Sequence, residues 1–349
     1  MKKTILAIAL VIGAAWAAEG YKVITKIKIG GEGRWDYTAF DAVNRRLYVS
    51  HSSSVEVIDP DAGKIVGTIP QLHGVHGIAI ANDLNRGFIT NGSNTSNSVT
   101  IFDLKTLAKI GEPAAGKGPD AVCYEPKTKR VFAINHGGTD ATAIDAKTGE
   151  VLKSFPTGAA GEFCQTDGNG TVFVNLEDSS ELLQIDAAKM EVTKRLSLAP
   201  GEGPSGLAID VKNKKLFSVC SNKMMIVVDI PSWKIVATPA IGAGPDAAGF
   251  DSTLGLTFSS NGSDGTLTIV DASKASYPVL QTVTTKRGAR TMALDRKTHN
   301  IFLPTAEFES PAPGERRGRM KPGSFAILVV GRCSGRVAQT CSLGLRLLR

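Results

Sequence analysis

The sequence predicts an all-β protein, a seven-bladed β-propeller with four strands in each blade. Three observations lead to this prediction. A short strand pattern that ends in Asp recurs at a nearly constant spacing along the chain. Gly, Asn, Asp and Ser residues are concentrated between the strand patterns, where tight turns require them. The last repeat lacks a fourth strand, and the N-terminal part of the chain has one strand pattern to spare.

The repeat is clearest in its closing aspartates, which lie 41 to 44 residues apart at Asp59, Asp103, Asp145, Asp186, Asp229 and Asp271. A period of this size, built from short strands, is typical of propellers and solenoids. Residues 59–63 and 145–149 both read Asp-x-x-x-Gly, a pattern in which the Asp side chain caps the amides of a turn. We therefore interpret the repeating aspartates as structural.

Six repeats each supply one complete blade, and the seventh blade is split between the two ends of the domain. The predicted blades cover residues 33–70, 73–112, 117–156, 160–198, 203–239, 244–284 and 288–330. Residues 21–29 alternate between polar and apolar side chains and are predicted to pair with the last strand of blade seven. This pairing would close the ring and hide two sheet edges.

The first 17 residues are predicted to be a bacterial-type signal peptide. Lys2 and Lys3 precede a short apolar run, and Ala15-Trp16-Ala17 fits the small-x-small cleavage pattern. The apolar run is too short to span a bilayer, and no transmembrane segment is predicted. We therefore expect a periplasmic or secreted protein with a single domain over residues 18–331. Residues 332–349 show no repeat and are predicted to form an irregular or disordered tail.

The formal net charge of +7 does not indicate a nucleic-acid partner. The excess of basic residues lies mostly in the predicted signal peptide and tail, so the propeller itself is nearly neutral and nucleic-acid binding is disfavoured. Among the five cysteines, Cys123 and Cys164 are predicted to be small buried residues that do not form a disulfide. The expected state is a monomer.

Candidate functional residues emerge when the blades are aligned on the end of their first strands, which should line the central channel. The aligned residues are Asp36, His76, Asp120, Glu162, Ser205, Asp246 and Arg290. Carboxylates held together repel one another, so a cation, a proton or Arg290 must offset their charge. One interpretation is a divalent metal ion held by the four carboxylates and His76. The other is a solvated channel mouth that binds nothing specific.

A second set of candidates lies in the turns that follow the second strands, on the same face of the ring. His51, His136, Glu177 and Glu307 are the members that a turn does not itself require, and they are candidate ligand contacts. Trp35, beside the ring residues, could supply an apolar wall for a ligand or could pack in the core.

The second strands of the first two blades read Tyr48-Val-Ser-His51 and Phe88-Ile-Thr-Asn91. These segments resemble the Tyr-Val-Thr-Asn motif of the YVTN-repeat β-propellers of the YncE-like group, and the second matches its final pair of residues. The resemblance covers residues 21–331 and implies the propeller fold. It leaves the activity open, because related propellers include binding proteins, lactonase-like enzymes and quinoprotein-dehydrogenase-like chains.

Three functions remain open at this point. The first is an exported binding module with a small molecule or metal ion at the polar mouth of the channel. The second is a metal-dependent, lactonase-like hydrolase in which His76 or Glu162 acts as general base. The third is a scaffold that binds another exported protein or DNA, of which DNA is the less favoured partner. The sequence has no P-loop and no Gly-x-Ser-x-Gly nucleophile motif.

Overall fold

The computed structural model describes residues 20–93, 95–310 and 318–332. Seven antiparallel sheets of four strands each form a ring, which confirms the predicted seven-bladed propeller. The predicted signal peptide and all of the predicted tail except Arg332 lie outside the described residues. Over the described ranges, no helix is long and apolar enough to cross a membrane.

Six blades are built from four consecutive strands. Blade 1 contains β2 (Thr38–Asp41), β3 (Arg46–His51), β4 (Ser54–Asp59) and β5 (Lys64–Ile69). Blade 2 contains β6 (Val75–Ala81), β7 (Arg86–Ser93), β8 (Ser96–Asp103) and β9 (Lys109–Gly111). Blade 3 contains β10 (Pro119–Glu125), β11 (Arg130–Asn135), β12 (Asp140–Asp145) and β13 (Val151–Pro156). Blade 4 contains β14 (Gly161–Thr166), β15 (Thr171–Leu176), β16 (Glu181–Asp186) and β17 (Glu191–Ser197). Blade 5 contains β18 (Pro204–Asp210), β19 (Lys215–Cys220), β20 (Met224–Asp229) and β21 (Lys234–Ala237). Blade 6 contains β22 (Pro245–Asp251), β23 (Leu256–Asn261), β24 (Thr266–Asp271) and β25 (Val279–Thr284).

Blade 7 closes the ring with a strand from the start of the domain. Its strands are β26 (Ala293–Asp295), β27 (Asn300–Thr305), β28 (Ala326–Arg332) and β1 (Tyr21–Lys28). Strand β1 runs antiparallel to β28, with Tyr21 opposite Arg332 and Lys28 opposite Ala326. The predicted closure is therefore confirmed. Strand β26 is shorter than the sequence pattern suggested. It begins at Ala293, two residues after Thr291, where the apolar pattern starts.

The first strands of the blades line the central channel. Each contacts the first strand of both neighbouring blades, and β26 contacts β2 to complete the circle. In blades 2 to 6, the second residue of the first strand is the one that the sequence alignment assigned to the channel mouth. In blades 1 and 7, Asp36 and Arg290 lie just before first strands that are shorter. The backbone therefore brings the aligned residues to one end of the channel.

The repeating aspartates cap turns, as the sequence predicts. Asp59 Oδ1 accepts hydrogen bonds from the backbone amides of Asp61 and Ala62, at 3.0 and 2.9 Å. Asp145 Oδ1 accepts the equivalent two bonds in blade 3. These side chains are occupied by the turn at the edge of the blade, so they are not available for a ligand.

Apolar side chains fill the spaces between neighbouring blades. The largest fully buried side chains are aromatic, and most lie on the second strands: Tyr48, Phe88, Phe102, Phe132, Phe173, Phe217, Phe258, Phe302 and Phe325. Burial of such rings supplies much of the hydrophobic stabilisation that holds one blade to the next. Cys123 and Cys164 belong to the cluster between blades 3 and 4 and are free thiols, as predicted.

We expect Gly206→Ala to lower the free energy of unfolding by about 1–3 kcal/mol, because it would overpack the junction of blades 5 and 6. A Cβ atom at Gly206 would lie 2.5 Å from Cα of Ala247, a backbone atom that cannot move aside alone. Gly111→Ala is the control, since a Cβ atom there meets nothing within 4 Å. Its effect should stay within about 0.5 kcal/mol. Equal losses in denaturant unfolding of the two variants would contradict this account.

Candidate metal centre

Five of the seven aligned residues form one charged network at the channel mouth. His76 Nδ1 lies 2.6 Å from Asp36 Oδ2 and 3.5 Å from Asp120 Oδ1. Arg290 contacts Asp36 Oδ1 at 3.1 Å and Asp246 Oδ2 at 2.8 Å through its two terminal nitrogens. The network therefore runs through blades 6, 7, 1, 2 and 3. The channel is narrow enough for residues of different blades to act together.

His136, one of the turn candidates, also lies at the channel mouth. It begins a short 3-10 turn, His136–Gly138, that directly follows β11. This turn places its Nδ1 3.2 Å from Glu162 Oε2 on the neighbouring blade. Glu177, which follows β15, is close enough to Glu162 and His136 for their charges to influence its pKa. Two of the four turn candidates thus lie beside the ring.

Two overlapping groups of residues have the composition of a metal site. One group is Asp36, His76 and Asp120, and the other is Asp120, His136 and Glu162. Within each group, one potential ligand atom from every residue lies within 4.8 Å of the others. Imidazole nitrogens combined with carboxylate oxygens suit divalent transition metals such as Zn²⁺ and Mn²⁺. The residues present therefore fit a divalent cation, with Asp120 common to both groups.

Hydroxyl groups of the second strands hold the backbone beneath this site. Thr90 Oγ1 donates a hydrogen bond to the carbonyl oxygen of Asp120 in the next blade. Ser260 Oγ makes the same kind of bond to the carbonyl oxygen of Arg290. Thr90 is the Thr of the Phe-Ile-Thr-Asn segment that resembles the YVTN motif. The repeat motif thus fixes the position of the residues that follow it around the ring.

Tyr37 is a member of the site that the sequence prediction missed. Its hydroxyl donates a hydrogen bond to Glu162 Oε1 at 3.1 Å and lies 3.3 Å from the carbonyl oxygen of Glu162. Its ring contacts that of Phe163, with centroids 4.9 Å apart. Tyr37 therefore extends from blade 1 to blade 4, which lies nearly opposite in a ring of seven. The sequence does carry a signal, since blades 2, 3, 5 and 6 have Gly or Ala at this position.

Three carboxyl groups at the mouth, those of Asp120, Asp246 and Glu177, have raised pKa values. Burial raises the pKa of Asp120 well above its usual value, and the charges of Glu162 and Asp36 raise it further. Burial raises the pKa of Asp246 to about 7, although Arg290 opposes this shift. Burial and the charge of Glu162 likewise raise the pKa of Glu177. Tyr37 stays a neutral donor, because burial and the surrounding carboxylates raise its pKa well above 10. A bound cation would relieve this repulsion.

Carboxylate neighbours favour the protonated form of the two histidines. Burial is the largest single influence on the pKa of His76 and lowers it, but the hydrogen bond and the charge of Asp36, together with Gly92 and Glu162, leave the pKa raised. The hydrogen bond with Glu162 raises the pKa of His136 to about 9. A metal ion requires neutral imidazoles as ligands, so protons and metal ions compete for this site.

Other predicted site residues make different contacts. Ser205 Oγ donates to the carbonyl oxygen of Pro245 at 2.9 Å, a bond between blades 5 and 6. The ring of Trp35 stacks on Phe325, with centroids 5.2 Å apart, in the core between blades 7 and 1. Its backbone carbonyl nevertheless accepts a 3.1 Å hydrogen bond from Arg290. Trp35 therefore supports the ring through its main chain, and its indole belongs to the core.

His51 and Glu307 lie away from the charged network. His51 is buried, with its ring centroid 4.6 Å from that of Phe325 and its Nδ1 3.6 Å from Glu56. Glu307 forms an exposed ion pair with Lys286 at 3.0 Å. The structure therefore brings His136 and Glu177 to the charged network and gives His51 and Glu307 other partners.

Comparison with known proteins gives partial sequence similarity and a clear structural match. No protein-family model matches the chain. It is 26% identical over 178 residues to two curated proteins, each described as uncharacterized protein YncE, from Salmonella typhi and from Salmonella typhimurium strain LT2. The match covers 48% of this chain and 49% of each relative, so the chain spans about half the length of the curated relatives it matches.

A solved structure of hydrazine synthase from Kuenenia stuttgartiensis is similar in fold, with a TM-score of 0.70. The match covers 79% of this chain and 94% of that one, at 15% sequence identity. At this level of identity the similarity concerns the fold alone.

Proposed function

We propose that this chain, whose fold and partial sequence similarity fit a YncE-like YVTN propeller, is a binding module that holds a divalent metal ion at its channel mouth. A single observation carries the proposal. Imidazole and carboxylate groups from blades 1 to 4 form two groups of three that share Asp120, and within each group the potential ligand atoms lie within 4.8 Å of one another. Carboxylates of neighbouring blades repel one another at the mouth, and a divalent cation bound between them would offset this repulsion.

The residues divide naturally into ligands and supporting groups. His76, His136, Asp36, Asp120 and Glu162 supply the nitrogen and oxygen atoms of a transition-metal site. Arg290 neutralises Asp246 and one oxygen of Asp36. Tyr37 donates to Glu162 Oε1 and orients the other oxygen of this carboxylate toward His136. Such hydrogen bonds to ligands fix their orientation and raise metal affinity.

A hydrolase that uses the same ion is a less favoured function. In that alternative, His76 or Glu162 would accept a proton from a metal-bound water. Here, however, Glu162 already contacts Tyr37 and His136, and His76 contacts Asp36. Both side chains are thus engaged with neighbouring groups of the network, and on these contacts we favour binding over hydrolysis. We propose an exported location for the module, on the basis of the signal-like pattern in residues 1–17.

Elemental analysis of the purified protein tests the metal-binding function. The protein is measured by mass spectrometry as isolated, after chelation, and after dialysis against Zn²⁺, Mn²⁺ or Co²⁺ followed by removal of free ions. We expect at least one ion per chain in the reloaded protein and almost none in the chelated protein. Less than about a tenth of an ion per chain after reloading with every metal would overturn the proposal.

A further inference from the structure

We infer that the channel mouth holds two divalent ions, bridged by the carboxylate of Asp120. This inference rests on the proposed function, because it presupposes that the mouth binds metal. It adds a second metal site and a shared ligand. The two sites lie side by side: one between blades 1, 2 and 3, and the other between blades 3 and 4.

The ligands repeat on either side of Asp120. On one side stand one histidine and one carboxylate, His76 and Asp36, and on the other side stand His136 and Glu162. Each pair comes together with Asp120 to form a complete group of three. A carboxylate has two oxygens and can bind two cations at once, and paired ions in protein sites lie about 3.5–4 Å apart. Each ion would thus have one histidine and one carboxylate of its own and would share the carboxylate of Asp120.

Solvent-inaccessible atoms lie where these ligand groups meet. Asp120 Oδ1 and His136 Nδ1 are both closed to solvent. Their nearest charged neighbours in the described part of the chain are themselves candidate ligands, with His76 Nδ1 3.5 Å from Asp120 Oδ1 and Glu162 Oε2 3.2 Å from His136 Nδ1. An ion beside His76 alone would leave the imidazole of His136 uncoordinated, whereas a second ion would coordinate it.

The test is the stoichiometry and magnetic coupling of Mn²⁺ in the full chain. Chelated wild-type protein is titrated with Mn²⁺, bound metal is counted by elemental analysis, and electron paramagnetic resonance is recorded. We expect two ions per chain with the spectrum of an exchange-coupled pair. His76→Ala and His136→Ala should each bind one ion with an uncoupled spectrum. The control His299→Ala, which removes an imidazole at the other end of the blade, should keep two coupled ions.

Each result bears on the inference. One ion per chain in the wild-type protein would overturn the inference and leave the proposed function standing, whereas no bound ion would overturn both. Two ions without magnetic coupling would overturn the bridging role of Asp120. Asp120→Asn should abolish the coupling, provided that its circular dichroism matches that of the wild type. If that variant does not fold, the wild-type spectrum and the two histidine variants decide the question.

Discussion

Replacement of His76 by Ala is expected to weaken binding of Co²⁺ or Zn²⁺ at the site formed with Asp36 and Asp120 by on the order of 100-fold or more. His76 is the one nitrogen donor in its group of three, and its Nδ1 lies 2.6 Å from Asp36 and 3.5 Å from Asp120. Loss of hydrogen-bonded residues around a metal typically costs 10–100-fold in affinity, and loss of a direct ligand costs at least as much. Isothermal titration calorimetry at a fixed pH measures the change.

His299→Ala is the matched control for this measurement. His299 Nδ1 also lies close to a carboxylate, 2.7 Å from Asp251 Oδ2, but at the end of β22 that is remote from the mouth. Its replacement should leave the affinity within about twofold of the wild type, since it removes an imidazole–carboxylate contact without touching the site. Equal affinities of the His76 and His299 variants would show that His76 is not a ligand.

Replacement of Phe325 by Ala is expected to lower the free energy of unfolding by about 3–5 kcal/mol, the usual cost of emptying a buried aromatic site. Phe325 is fully buried where blade 7 meets blade 1, against Trp35 and His51. Its carbonyl oxygen also accepts hydrogen bonds from the amides of Ile29 and Gly30. The side chain therefore packs at the junction that the N-terminal strand closes. Equilibrium unfolding in guanidinium chloride measures the loss.

Phe308→Ala offers a close comparison, because Phe308 also contacts Trp35, at 6.1 Å between ring centroids. Its side chain is 39% exposed, so truncation opens no enclosed cavity. The expected loss is about 1 kcal/mol or less. If both variants lost the same stability, burial of Phe325 at the junction of blades 7 and 1 would not be what holds the ring closed.

The fold could be predicted because its determinants are local and repeated. The alternating side chains and turn residues of each repeat specify its strands, and the closing aspartates mark the period. The spare strand at residues 21–29 could be assigned because blade 7 lacked one. The aligned ring residues could be found for the same reason, since equal positions in equal repeats must lie at equal heights in the channel.

The contacts within the site could not be predicted, because they depend on the width of the channel and on side-chain packing between blades. His136 lies in a turn, and only the tertiary structure brings its ring to Glu162. His51 is the last residue of β3 and corresponds to Asn135 in blade 3, one position before the turn, and Phe325 and Glu56 hold it in the core. A difference of one residue at the end of a strand thus separates a buried side chain from one that reaches the mouth, and the strand end could not be placed this accurately from the sequence.

Tyr37 links two blades that are not neighbours in the ring. Its side chain reaches Glu162 and Phe163 on the far side of the ring and is almost completely buried. Because the hydroxyl of Tyr37 in blade 1 holds Glu162 in blade 4, a displacement of either blade would move a candidate ligand. The spacing of the ligands therefore depends on the shape of the whole ring, and binding of an ion would stabilise blades that share no sheet and no common border.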